Sequence, residues 1–162
     1  VNKVYLDGYN FILRNSALAR LFRSDQDAAR ERLKSILQDY AARKKVKITV
    51  VYDSREKPIG EGTVTSYYLY EEIFVNDADA YLRNISGRSR APRMDRITIV
   101  SSDYSDVYLP AKGRGAAVLS CEEFYSEILK LMRKKDTDQE KPSPPTSKEI
   151  EDWLRYFETG ED

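Results

Sequence analysis

The segment Val4-Tyr5-Leu6-Asp7-Gly8-Tyr9-Asn10 constrains this chain most, because a short apolar strand stops at a carboxylate and is followed at once by Gly and Asn. The pattern recurs. Ile48-Thr49-Val50-Val51-Tyr52 ends in Asp53, Leu69 to Val75 leads into Asp77 and Asp79, and Ile97-Thr98-Ile99-Val100-Ser101-Ser102 ends in Asp103. From Asp25 to Arg43, between the first two strands, Ala28, Ala29, Leu33, Ile36, Leu37, Tyr40 and Ala41 recur at helical spacing among charged residues. Strands alternating with helices specify a mostly parallel α/β sheet. In open sheets of that class ligands bind beyond the carboxyl ends of the strands, so acids placed there converge on one site.

The pattern predicts five strands, at 3–7, 46–53, 69–75, 97–102 and 116–119, in the order 3-2-1-4-5 with right-handed crossovers. Asn10, Arg14, Arg20 and Arg23 are expected in a loop after the first strand, with Ser24 capping the first long helix. Residues 54–66, with Pro58, Gly60 and Gly62, read as a loop, and Asp77 reads as the cap of a helix reaching Ser86. Residues 104–115 read as irregular, whereas Ser120 and Glu123 have capping-box spacing for a helix ending near Arg133. The domain is thus expected over 1–133, followed by a linker at 134–147 with Pro142, Pro144 and Pro145. A last helix is expected at 148–162, started by Thr146 and Glu149 and carrying Ile150, Trp153, Leu154 and Phe157.

Composition narrows the chemistry. A length of 162 residues suits one domain with a substantial core. There is no histidine, which removes the commonest general base, the commonest zinc ligand and every Ser-His-Asp or Cys-His arrangement. The single cysteine, Cys121, reads as buried packing in a reducing, cytoplasmic setting. No apolar run approaches the roughly 20 residues that span a bilayer, and the N-terminus lacks signal-peptide patterning, so a soluble protein without a membrane partner is expected. Lys plus Arg and Asp plus Glu both total 27, which argues against a simple RNA-coating protein of high nonspecific affinity.

In the expected strand order, Asp7 and Asp103 end neighbouring strands, about 4.8 Å apart, and Asp79 sits in the first turn of the following helix. All-oxygen ligands favour magnesium or manganese, ions that activate water and neutralise a phosphodiester. Asn10 is placed to orient a phosphate or a water. Taken singly, an aspartate after a strand is most often a turn former or a cap. Accordingly Asp77 reads chiefly as an N-cap and Asp106 as a helix start, while Asp53 is open between ligand and supporting roles. Arg14, Arg20, Arg23, Arg55, Lys57, Lys112 and Arg114 all follow strands and so are expected near the acids, where they can hold phosphates. Arg88, Arg90, Arg93 and Arg96 precede the fourth strand and fall at the opposite end of the sheet. Tyr9, Phe11, Tyr104 and Tyr108 are candidates for stacking on unpaired bases, or alternatively half-buried loop packing.

No G-x-G-x-x-G follows the first strand and no P-loop occurs, which speaks against a nucleotide-cofactor domain. Asp7-Gly8-Tyr9 also lacks the second aspartate of an aspartyl-phosphate phosphatase. Leu6-Asp7-Gly8-Tyr9-Asn10, Val50-Val51-Tyr52-Asp53, Ala78-Asp79-Ala80-Tyr81 and Val100-Ser101-Ser102-Asp103 together resemble the YacP-like branch of the NYN domain family, over about residues 3–133. The D-G-Y-N block is the specific part of the match; the later motifs add their order. That family falls among the PIN-like nucleases. The resemblance implies a three-layer αβα fold and a Mg2+- or Mn2+-dependent endoribonuclease, with Asp7, Asn10, Asp79 and Asp103 in the acidic-site roles. Asp77 stands where relatives carry a small polar residue, leaving open whether Asp77 or Asp79 is the main ligand. The expected function is cleavage of single-stranded RNA, with the ribosome or another RNA-containing assembly as a further partner. The alternative is a noncatalytic RNA- or ribosome-binding adaptor on the same fold.

Overall fold

The computed structural model describes residues 2–54, 63–90 and 96–138. In chain order the elements are β1 (Lys3–Asp7), α1 (Gly8–Arg14), α2 (Ser16–Ser24), α3 (Gln26–Lys44), β2 (Lys47–Asp53), β3 (Thr63–Tyr67), β4 (Tyr70–Val75), α4 (Ala78–Ser86), β5 (Ile97–Val100), α5 (Leu109–Gly113), β6 (Ala117–Leu119) and α6 (Cys121–Asp138). A 3-10 turn, Gly87–Arg90, follows α4, and a π-turn, Tyr104–Tyr108, precedes α5. The sheet order is β3-β4-β2-β1-β5-β6, parallel throughout except for β3, which runs antiparallel to β4.

Alternation along the strands sends side chains to opposite faces, and each face is covered. Leu6, Ile48, Val50, Tyr52, Tyr70 and Val100 pack against Leu33, Leu37 and Tyr40 of α3 and Phe124 and Ile128 of α6. Val51, Ile73, Ile97 and Ile99 pack on the other face with Leu82 and Ile85 of α4, Val107 of the π-turn and Ala111 of α5. The result is three layers, helix, sheet, helix, as the PIN-like class requires.

The five expected strands occur in the expected order, but the sheet has a sixth. Residues 63–66, read from sequence as the end of a loop, belong to β3, which pairs Tyr67 with Tyr70 across a two-residue turn. That turn is Tyr68-Leu69, with Leu69 at φ 60°, so it carries none of the Gly, Asn or Asp residues that normally announce a tight hairpin. The expected loop after β1 is also wrong. It consists of two helices, α1 and α2, separated by Asn15, whose side chain caps α2 by accepting from Leu18 N at 3.0 Å. Asp25 caps α3, accepting from Ala28 N, while Ser24 is the last residue of α2. Asp77 and the reciprocal Ser120–Glu123 capping box are as expected. α6 continues to Asp138, past the expected linker boundary; the remainder of that linker and the helix expected at 148–162 lie outside the described residues.

Gly8 allows β1 to turn directly into α1. A Cβ there would sit 2.5 Å from Tyr52 Cε1 and 2.9 Å from Val50 Cγ1. Tyr52 cannot retreat, because its ring is fully buried, stacked on Phe74 and packed against the tilted ring of Tyr9. Gly8→Ala should therefore destabilise the fold by about 1–3 kcal/mol, the usual cost of overpacking, measured as a lower urea midpoint at unchanged m-value.

Candidate active site

The parallel register carries β1 and β5 to the same height, pairing Leu6 with Val100, so Asp7 and Ser101 emerge side by side at the carboxyl edge of the sheet. The Ser101 hydroxyl donates to Asp7 Oδ2 at 3.1 Å and accepts from the backbone N–H of Asp103 at 3.0 Å. A single hydroxyl thus ties the ends of the two central strands together. Asp103 then caps the π-turn, its Oδ1 accepting from Asp106 N at 3.2 Å. On the neighbouring helix Asp77 caps α4, accepting from Ala80 N, which leaves Asp79 in the first turn facing the sheet edge.

Three of these acids form a tight group. Asp79, Asp103 and Asp106 each offer a carboxylate oxygen within 4.8 Å of the others. Asp7 lies beside this group and is buried. Burial raises its pKa from 3.8 to about 7; the Ser101 hydrogen bond and one from the Asn10 backbone N–H pull it down, and the charges of Asp79 and Asp103 push it further up. Asp79 is raised as well, by partial burial and by repulsion from Asp103, Asp77 and Asp106, against an opposing contribution from Arg83. The donors are all oxygen, and the acids disfavour one another's charge. This chemistry fits a hard divalent cation, for which Asp79, Asp103 and Asp106 would be the ligands and Asp7 the adjoining charge.

These observations can be set against known proteins. A family model described as the YacP-like NYN domain matches residues 4–159. The chain belongs to that family. This NYN domain is therefore a member of the PIN-like nucleases. No curated protein matches it. Among solved structures it is similar to the crystal structure of a point mutant of Rae1 (YacP) from Bacillus subtilis, with 22% identity, TM-score 0.67, and 98% of this chain and 93% of that chain covered. A second Rae1 (YacP) crystal structure from the same organism has 23% identity and TM-score 0.67, covering 85% of this chain and 79% of that one. At these identities the likeness establishes the fold, in agreement with the sheet and layers described above.

Within the NYN domain, the residues singled out from sequence fall in different places. Asp7, Asp79 and Asp103 come to one edge. Asp106, expected only to start a helix, does lie in the first turn of the π-turn and is also the third member of the acidic group. Asp53 ends β2, partly buried, and Asp77 is exposed at its cap; neither belongs to the group. Asn10 is occupied as a strut. Its Oδ1 accepts from Ser102 N at 2.7 Å and from Cys121 Sγ at 3.2 Å, locking α1 to the loop after β5. Burial raises the Cys121 thiol to about 12, which keeps it protonated in this contact.

Tyr9 corrects the expectation of a base-stacking residue. Its ring is buried against Tyr52 and Phe22, and its hydroxyl accepts from Arg30 at 3.2 Å, because the helix that begins at Gly8 turns Tyr9 inward. Phe11 is likewise core, whereas Tyr104 is half exposed beside Tyr108. Arg14, Arg20, Arg23, Lys112 and Arg114 are exposed, and Arg14 donates to Glu122 at 2.7 Å, which in turn accepts from Ser102 Oγ. Arg55 and Lys57 lie outside the described residues. Arg88 and Arg96 are exposed at the other end of the sheet, after α4 and before β5. The residues that sequence reasoning missed are Ser101, Arg83 and Asp106. The Ser two positions before Asp103 was a signal for the first of them.

The Asp7 shift has a fixed sign. Its folded-state pKa lies above its unfolded value, so between 3.8 and about 7 the native state holds a proton that the unfolded chain has released. Stability falls as pH rises through that window, by up to about 1.4 kcal/mol per pH unit. Thermal unfolding in chelator should show this slope in the native protein, and Asp7→Asn should flatten it and unfold at a higher temperature at pH 8. A variant with an unchanged slope would remove Asp7 as its source.

Proposed function

We propose that this NYN domain is a metal-dependent endoribonuclease that cuts single-stranded RNA in the cytoplasm, using Mg2+ or Mn2+. The observation that carries the reading is the trio Asp79, Asp103 and Asp106, with ligand oxygens within 4.8 Å, set against the buried Asp7. Such an ion, when bound, supplies Lewis-acid neutralisation of the phosphodiester and lowers the pKa of an attacking water.

The chain's own residues supply the rest. Ser101 holds Asp7 and the Asp103 backbone in fixed register, so the acids meet the scissile phosphate preorganised. Asp7, buried beside the trio with Ser101 donating to its Oδ2, adds a fixed negative charge next to the cation site. Asn10 acts through Ser102 by fixing the loop after β5. The exposed Arg14, Arg20, Arg23, Lys112 and Arg114 hold backbone phosphates, and Tyr104 stacks an unpaired base. With no net charge, capture of free RNA is weak, which favours substrate presented by a larger assembly such as the ribosome. In the proposal this activity is carried by the domain that ends with α6.

Cleavage of a labelled single-stranded oligoribonucleotide by the purified chain, in Mn2+ and in chelator, tests the reading. Cutting should require the ion. Asp103→Asn and Asp106→Asn should each lower kcat/KM by about 100-fold or more, the scale of a lost electrostatic contact to the transition state, while Asp53→Asn stays within a few-fold. Binding of RNA without any ion-dependent cutting would favour the adaptor instead.

A further inference from the structure

The carboxylate of Asp106 is placed by a π-turn whose backbone receives a side chain from another helix. In a continuing helix the Asp106 carbonyl would accept from the residue four positions on. That residue is Pro110, which has no N–H to give. The Asp103 carbonyl is well served, accepting from Val107 N at 3.0 Å and Tyr108 N at 2.9 Å, and Leu109 N bonds Tyr104. The Asp106 carbonyl instead receives Arg83 Nη1 at 2.8 Å, from α4. Arg83 stands one turn after Asp79 on that helix, so one guanidinium reaches from the element carrying Asp79 to the backbone of Asp106. The carbonyl of Arg83 is itself anchored, accepting from Arg114 Nη1 at 3.0 Å and from Ser86 Oγ at 2.6 Å.

We propose that Arg83 is a positioning residue of the acidic site: clamped on the Asp106 carbonyl, it fixes the turn that brings the Asp106 carboxylate to Asp79 and Asp103. The inference rests on the cation site of the proposed function, and its sign separates it from a simple charge effect. As a mere positive charge beside three acids, Arg83 would weaken cation binding, and its removal would tighten it. As a clamp it strengthens binding, and its removal scatters the ligands.

The test uses the full chain and Mn2+ alone, titrated by calorimetry, with Arg83→Met and Arg83→Lys. Arg83→Met should weaken Mn2+ binding about ten-fold, the usual consequence of losing a group that orients a ligand. Arg83→Lys, which keeps one donor, should recover much of that loss. In an Asp106→Asn background Arg83→Met should add little, since the residue it positions no longer supplies a charged ligand. Amide hydrogen exchange, followed without metal, should accelerate across residues 104–108 in Arg83→Met while the global unfolding temperature holds. Unchanged or tighter Mn2+ binding, a full additive loss in the Asp106→Asn background, or unchanged exchange at 104–108 would each overturn the proposal. Failure of the wild-type chain to take up Mn2+ would reject the cation reading alone, and the exchange measurement would still decide the role of Arg83.

Discussion

Carboxylates gathered at one edge of a sheet repel one another, and the scaffold around them exists to hold them in place regardless. Solvent screens this repulsion where the acids are exposed, as at Asp106, and burial sharpens it at Asp7. Burial is the larger cause of the raised pKa values of Asp7 and Asp79, and repulsion from the neighbouring acids adds to it. Proton uptake relieves it in the metal-free chain, and a divalent cation would relieve it more completely.

Among the described residues the restraint comes from hydrogen bonds to strand ends, caps and backbone carbonyls, with no salt bridge to the clustered acids. Ser101 joins the β1 and β5 ends, Asn10 pins α1 to the following loop, Asp77 sets the first turn of α4, and Arg83 donates to a carbonyl rather than to a carboxylate. An arginine paired directly with Asp79 or Asp103 would neutralise the group that a cation needs. Placing it on the Asp106 backbone retains the acids' charge and still orders the turn. On the opposite flank Ser102, Glu122 and Arg14 form a second chain of hydrogen bonds, which anchors the start of α6 to the same loop, with Cys121 N donating to Ser102 Oγ at 2.9 Å.

Much of the architecture was legible because it is written in local patterns. Apolar runs ending in Asp, the helical period of α3 and the Ser120–Glu123 capping box each depend on residues a few positions apart. The elements that were missed had misleading local signals. The β3–β4 hairpin turns on Tyr68-Leu69, which carries no turn residue, and only pairing with β4 makes it a strand. α1 begins at a glycine, a poor helix former, selected because Tyr52 from another strand fills the space a Cβ would need. In α2, Ala17, Leu18, Leu21 and Phe22 do recur at helical spacing, a signal outweighed by the surrounding arginines.

The sequence by itself determined the class of fold, the strand order and the presence of carboxylates at the carboxyl edge, since these follow from periodicity and from the ends of strands. Only the tertiary structure decided which acids meet. It placed Asp106 in the group and left Asp53 and Asp77 outside it, through a π-turn that Asp103 caps and whose Asp106 carbonyl accepts from a guanidinium of a different helix. It also turned Tyr9 from an expected surface residue into core, through the direction in which α1 leaves β1. Side-chain convergence of this kind depends on contacts between residues far apart in the chain, and no local spacing encodes it.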